Sequence, residues 1–427
     1  MNKILGLFKS IFSVKDLRKR IGFVFLMLFL YKLGTYIVVP GIDSSMLKNL
    51  TEQGGMFSFA NMISGGALQR FSIFAIGIVP YITASIVVQL LQMDVVPKLT
   101  EWTKQGEKGQ KKTKKLTRYL AIGLSLIQAF GLSFSFNKLY PGVVTNPTIG
   151  TYIMISLILT LGTVILMVMG ELIEKKGIGQ GMSVIITAGI TMGIPTTLYM
   201  YYVSDIQNAA NLFIAIIKTV LLVLLVAVLI IGIIFVQRAE RRVPIQYPNQ
   251  NMGNYRSILP IKINSAGVIP VIFSVSILMF PMTIAQFFSG NPVAQFIIKY
   301  FNYNNPVGMA FYALMIILFA YFYAFVQMNP EKIAENLKKS GGFIPGIRPG
   351  KSTEKYISSI LAKLTLVGAI FLTILAVTPM IIGNVAGLPS QIQIGGTSLI
   401  IIVGVALDVA SRVNSYLIDR KYNSFIK

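Results

Sequence analysis

Apolar runs close to 20 residues long recur from one end of this 427-residue chain to the other, separated by charged or Gly/Pro-rich punctuation. A run of that length crosses a hydrocarbon core of about 30 Å as one helix, and in lipid the helix is the form that satisfies its own backbone polar groups. The runs fall near residues 21–40, 71–91, 119–136, 151–170, 182–202, 212–236, 265–288, 307–327, 364–383 and 397–413, which predicts an all-α integral membrane protein of ten spans. The first run starts at Ile21 and ends in VVPG rather than at a small-residue cleavage site, so it reads as a retained span, with the mature chain beginning near Met1.

An even number of spans puts both termini on one side of the membrane, and the charges test this because Lys and Arg stay in cytoplasmic loops. With both ends inside, the inner segments 1–20, 92–118, 171–181, 237–264, 328–363 and the stretch after 408 hold 32 of the 38 Lys and Arg residues. The exceptions are Lys48, Arg70, Lys138, Lys218 and Lys299 outside, and Lys32 within the first span. An error of one span would scramble this alternation, so the sequence places both termini in the cytoplasm. The net charge of +23 is thereby concentrated on the inner face, where attraction to anionic phospholipid headgroups is its simplest consequence. Two inner loops, 237–264 and 328–363, exceed what a helix hairpin needs and carry RAERR, GNYR and KKSGGFIPGIRPGK. Ordered basic loops of this kind suit a large anionic partner, either ribosomal RNA or an acidic motor protein.

Catalytic options are few. The chain has neither Cys nor His, which removes thiol nucleophiles, thiolate metal sites and the commonest general base. It carries no Walker A pattern, Gly-rich dinucleotide loop or metal-ligand cluster, and no cofactor is implied. Asp94, Glu171, Asp408 and Lys32 lie at or near span ends and read as interfacial anchors rather than a proton relay. An intramembrane protease would need an activated nucleophile or an acid pair in the membrane, and the sequence offers neither.

Helix breakers interrupt several spans: Gly77 and Pro80, Gly189 and Pro195, Gly267, Pro270 and Pro281, and Gly404. They point to movable helices of the kind found in channels and transporters. Dividing the chain into 1–210 and 211–427 gives five spans to each half, the odd number an inverted repeat requires, although no sequence self-similarity carries that repeat. Residues 41–70 are too polar and short to span; they read either as a surface loop with a short helix or as a segment re-entering the bundle.

Six separated motifs in one order carry a resemblance: VVPGID (38–43), MISGGALQRFSIFAIGIVPYITASIVVQLLQ (62–92), GELIEKKGIGQGMS (170–183), IKINSAGVIPVIF (261–273), NPEKIAENLKKSGGFIPGIRPGKSTEKYI (329–357), and LTLVGA (364–369) followed by GGTSL (395–399). Over nearly its whole length the chain closely resembles the SecY family, the central subunit of the bacterial protein translocon. The resemblance implies two pseudo-symmetric inverted halves closing around an hourglass pore, and a re-entrant plug over 57–70 that includes Phe57, Ala60, Asn61, Ile63, Gly65, Gly66 and Leu68. It places an apolar pore ring at Ile78, Ile82, Met182, Ile186, Val268, Ile272 and Ile401, where Met182 departs from the more usual Ile. Three pairs in this ring are spaced i, i+4 and so share a helix face. A lateral gate would involve Thr83, Gln89, Asn264 and Phe280, the polar groups holding it shut by only about 1 kcal/mol each. Arg241, Arg242, Arg256 and Arg348 would engage the SecA motor or the ribosome, Arg256 in a loop tip, YPNQNMGNYRS, where relatives carry more Arg. The implied function is a passive channel that moves unfolded polypeptides across the cytoplasmic membrane, releases hydrophobic segments sideways into lipid, binds signal sequences and works with SecE-like and SecG-like small subunits. An ion-coupled secondary transporter is the alternative that broken helices and inverted halves also suit, but it needs polar coordinating groups at the midplane.

Overall fold

The computed structural model describes residues 14–43, 47, 56–93, 95–207, 211–247, 257–288, 291–302, 305–386 and 395–425. In chain order the helices are α1 (Lys15–Gly34), α2 (Met56–Ile63), α3 (Val79–Leu91), α4 (Pro97–Lys104), α5 (Gly106–Leu139), α6 (Ile149–Lys176), α7 (Gly181–Tyr201) and α8 (Leu212–Arg238). A two-stranded antiparallel hairpin follows, β1 (Glu240–Ile245) and β2 (Ser257–Lys262). The remaining helices are α9 (Ile269–Phe287), α10 (Pro292–Tyr300), α11 (Pro306–Gln327), α12 (Pro330–Lys339), α13 (Lys351–Ala386) and α14 (Gly395–Phe425).

Each of the ten expected spans coincides with a helix: α1, α3, α5, α6, α7, α8, α9, α11, α13 and α14. Seven of these (α5, α6, α7, α8, α11, α13, α14) are long and apolar enough to cross a membrane unaided, while α3 and α9 are shorter. Several helix starts are written locally. Asn291, Asn305 and Asn329 each precede a proline, and each side chain accepts a hydrogen bond from a backbone N–H of the first turn, at 3.0, 3.1 and 3.1 Å. The Asn supplies the cap and the Pro contributes its fixed φ at a position whose N–H needs no partner. Helix α5 is 34 residues long, about 50 Å, so its Lys-rich first turns project beyond the hydrocarbon.

Two spans are only partly helical, interrupted where the breakers Gly77 and Pro80, and Gly267 and Pro270, stand: the helices start at Val79 and Ile269, inside the runs 71–91 and 265–288. In both, a glycine at positive φ precedes the helix, Gly77 at +64° and Gly267 at +66°. In both, the next residue is the N-cap, Ile78 (φ −97°, ψ −3°) or Val268 (φ −95°, ψ −8°), and a proline follows in the first turn. Gly77-Ile-Val-Pro80 and Gly267-Val-Ile-Pro270 are therefore one structural motif used twice, a self-similarity too short to notice in the sequence. The other breakers do not break: Gly189 and Pro195 lie inside α7, Pro281 inside α9 and Gly404 inside α14.

Glycines also set how closely the helices approach, as expected where lipid supplies no hydrophobic drive between them. A Cβ on Gly162 of α6 would lie 1.8 Å from the Ile73 carbonyl oxygen, and one on Gly181 at the start of α7 would lie 1.8 Å from the Gly170 carbonyl oxygen of α6. The hairpin is the departure from an all-helical chain. Its inward residues Val243, Ile245 and Ile261 join Ala324, Leu337, Ile344, Ile357, Ile360 and Leu361 in a separate core outside the bundle.

These contacts give a graded expectation for thermal unfolding in detergent. Gly162→Val should cost about 1–3 kcal/mol through backbone overpacking. Gly267→Ala, with nothing within 4 Å of the added carbon, should cost about 1–2 kcal/mol through its left-handed φ alone. Gly123→Val, also with nothing within 4 Å but helical, should leave the midpoint nearly unchanged.

Candidate pore, plug and gate

The seven ring positions come from α3, α7, α9, α14 and the two N-cap residues, four different places in the chain. Ile78, Ile82, Ile186, Val268, Ile272 and Ile401 all belong to one contiguous apolar cluster and are each no more than 8% exposed. Met182 packs against the same cluster from its edge. Its thioether lies over Gly170, where an added Cβ would meet the sulfur at 2.6 Å, so this half-buried member leans on α6. The repeated glycine–proline motif puts Ile78 and Val268 at equivalent helix starts, with Ile82 and Ile272 one turn further on. None of the seven side chains carries a hydrogen-bonding group able to hold an ion or select a solute.

The segment expected to be a plug forms a short helix, α2, ending in a tight turn. Ile63 belongs to the ring's cluster, and Ala60 and Met62 pack against it. Gly66 N–H donates to the Asn61 carbonyl at 2.8 Å, and the Asn61 side-chain oxygen accepts from Gln69 N–H at 2.9 Å. Gly65 and Gly66 take φ of +67° and +84°, which lets the chain reverse there. Leu68 is buried in a second cluster with Phe71, Phe136 and Ile155. The backbone is thus sheltered by protein, which favours re-entry over a surface loop. The side chain of Phe57 lies outside the described residues.

Three residues that hold this helix have no signal as site residues in the sequence. Gly189 of α7, which reads there as a helix breaker, is a contact surface: an added Cβ would lie 2.2 Å from the Ile63 carbonyl oxygen. The Tyr31 hydroxyl would be 3.2 Å from a Cβ on Gly65, and Tyr31 stacks on Phe74 at 5.8 Å. The Ser398 hydroxyl of α14 lies 3.5 Å from the Met62 sulfur.

Helices α3 and α9 pack on each other, so the expected gate is a real contact. Its polar residues serve it differently from the expectation that they hold the two helices together. Thr83 donates to Val79 O at 3.1 Å in its own helix, and Gln89 Nε2 donates to Ser85 Oγ at 3.1 Å, also in its own helix. Asn264 Nδ2 donates to Gly267 O at 2.9 Å in its own turn. Among the described residues none of the three bonds across the contact, so apolar packing closes it. Phe280 is half-buried in the second half of α9, outside the ring's cluster.

The basic loops form one module. Gln246 and Phe343 exchange backbone hydrogen bonds of 2.9 Å each, joining the hairpin loop to the loop before α13. Arg241, Arg242 and Arg348 are exposed on this module. Arg242 Nε contacts Glu240 at 3.0 Å, and the Arg348 carbonyl accepts from Thr353 Oγ1 at 2.9 Å, pinning the backbone beneath the arginine. Arg256 lies outside the described residues.

A bundle of apolar helices in which the seven ring positions, from both halves of the chain, meet in or against one apolar cluster, with the short helix α2 packed on it, defines an integral membrane protein with an aliphatic centre and no coordinating side chain at those positions. Residues 72–410 match the SecY family. The protein translocase subunit SecY of Halalkalibacterium halodurans is 51% identical over 425 residues, covering 98% of this chain and 99% of its own. That of Bacillus subtilis is 48% identical over 431 residues, covering 99% and 100%. This chain belongs to the SecY family. A solved structure of a protein conducting channel shares the fold, with a TM-score of 0.66 at 17% identity over 93% of this chain and 92% of that one.

If apolar packing closes the gate, Thr83→Val should shift the thermal midpoint in detergent very little. Asn264→Ala frees the Gly267 carbonyl at the start of α9 and should cost about 1–3 kcal/mol.

Proposed function

We propose that this chain is the pore-forming subunit of a protein translocase, a passive channel that passes unfolded polypeptides across the cytoplasmic membrane and releases apolar segments into lipid. The observation that carries this reading is the convergence of all seven ring positions, from both halves of the chain, on one apolar cluster. A narrow aliphatic collar excludes water and so blocks ions, yet its soft side chains part around a polypeptide of any sequence. An ion-coupled transporter would need polar groups at the same place.

The halves 1–210 and 211–427 act as the two jaws, and the equivalence of the Gly77–Pro80 and Gly267–Pro270 turns supports their relation by an inverted repeat. Helix α2 and its glycine turn serve as the plug. The contact between α3 and α9 is the lateral exit, where an apolar signal sequence replaces one apolar partner with another at little cost. Both termini and the basic module face the cytoplasm. There Arg241, Arg242 and Arg348 receive the SecA motor or ribosomal RNA, since guanidinium groups bind carboxylate and phosphate in two-point fashion. SecE-like and SecG-like small membrane subunits complete the assembly, and the basic inner face contacts anionic phospholipid.

Ion conductance in planar bilayers tests the pore. The unmodified protein should be quiet, whereas deletion of residues 60–68, or Ile82→Gly with Ile186→Gly, should open a steady leak. Variants as silent as the parent would remove the collar and plug assignments. Docking is tested separately: Arg348→Glu with Arg241→Glu should reduce SecA-driven transport about tenfold or more while leaving the closed channel ion-tight. Unchanged transport would place the motor elsewhere.

A further inference from the structure

On the membrane face opposite the basic module, two cations share one aromatic ring. The Arg70 guanidinium carbon lies 4.1 Å from the centroid of the Tyr36 ring, and Lys32 Nζ lies 5.2 Å from the same centroid. The two charges therefore sit within about one Debye length, ~8–10 Å, of each other. Like charges at that separation repel, and more so beside lipid than in water. Tyr36 offsets part of this through its π face, by about 0.5–2 kcal/mol per cation. Among the described residues no carboxylate forms an ion pair with either cation. Arg70 Nη1 is moreover shut off from solvent without a hydrogen-bond acceptor.

The surroundings point to the anion that the two cations call for. Leu33, Tyr36 and Ile37 are exposed large apolar residues beside the two cations, as expected of a surface facing lipid at the level of the headgroups. Lys32 lies in the last turn of α1, so it can reach outward past the helix end. Cations are sparse on this face, where the positive-inside pattern disfavours them, so a pair there calls for a compensating anion. Arg70 also adjoins the plug turn: a Cβ on Gly66 would lie 3.8 Å from Nη1.

We propose that Lys32, Arg70 and Tyr36 form a binding site for the phosphate of an anionic phospholipid in the leaflet opposite the basic module, and that the bound phosphate steadies the turn that ends the plug helix. With Nη1 enclosed by protein, the guanidinium offers the phosphate its remaining N–H groups, the ammonium adds a point charge, and the ring keeps both cations oriented. Which side of the membrane this leaflet faces follows from the topology proposed above, but the chemistry of the site does not depend on it.

The test uses the full chain in nanodiscs of phosphatidylcholine containing a minor fraction of phosphatidylglycerol, with retained phosphatidylglycerol counted by native mass spectrometry. The parent should hold one more tightly bound phosphatidylglycerol than Lys32→Gln/Arg70→Gln. Either single Gln substitution should weaken that site about fivefold, the effect of one cation near an anionic surface. Lys32→Arg/Arg70→Lys should keep the lipid, and Lys111→Gln/Lys115→Gln, on the opposite face, should not affect this copy. Since Arg70 is close to the plug turn, Lys32→Gln alone serves if the double variant does not fold. Equal retention by the parent and the Gln variants would overturn the site. Loss in the conservative variant as great as in the Gln variants would do the same, because charge would not be the cause. Displacement from the parent by millimolar inorganic phosphate would overturn the lipid assignment in favour of a free anion.

Discussion

In hydrocarbon every backbone N–H and C=O must find a partner within the protein, and the rest of this structure depends on how two non-helical stretches meet that demand. Residues 71–78 and 263–268, which lead into α3 and α9, form no helix. The first is paired on the chain after α1: Val39 N–H donates to Phe71 O and Ile73 N–H to Ile37 O, each at 3.0 Å. The Thr163 hydroxyl of α6 approaches the Gly77 carbonyl at 3.4 Å. The second is served by the Asn264 side chain on Gly267 O and by Ile263 N–H on Ala239 O at 2.9 Å. Because the backbone of these turns is satisfied, α3 and α9 can start here, with Ile78 and Val268 as their N-caps.

The collar follows from that placement. Its members are ordinary aliphatic side chains, chemically indistinguishable from those that face lipid elsewhere on the same helices. What distinguishes them is that four separate segments, α3, α7, α9 and α14 with the N-caps of two of them, deliver them to one apolar cluster. The contact between α3 and α9 relies on the same economy. Since Thr83, Gln89 and Asn264 make their hydrogen bonds inside their own segments, that contact rests on dispersion. A latch of buried polar groups would have made the contact selective and slower to reverse.

The basic module contrasts with the bundle it sits on. Its core of Val243, Ile245, Ile261, Leu337, Ile344 and Ile357 is stabilised by removal of apolar surface from water, a force absent between helices in lipid. Close glycine contacts such as Gly162 against the Ile73 carbonyl take that role inside the membrane. The chain thus combines two packing regimes, and the arginines are displayed from the one that water makes rigid.

The apolar helices and the charge asymmetry along the chain were legible because each depends on composition within a short window: hydropathy over one helix, Lys and Arg over one loop. Asn-Pro helix starts at Asn291, Asn305 and Asn329 were equally local. The resemblance marked the collar positions, but the residues alone did not, since an Ile at i, i+4 reads the same whether it meets lipid, a neighbour or a pore. Gly189 and Gly404 looked like breakers and are contact surfaces, because a glycine's backbone freedom is visible in sequence whereas the atom that crowds it belongs to another helix. The hairpin at 240–262 was hidden by the helical character of its surroundings, and Ser398 meets Met62 of α2 from 336 residues away. The sequence by itself determined that this chain lives in a membrane and where its charge lies along the chain, since those are one-dimensional properties. Only the tertiary structure decided which aliphatic groups cluster, which glycines touch and which cations share a ring, since those are distances between segments that the chain order does not encode.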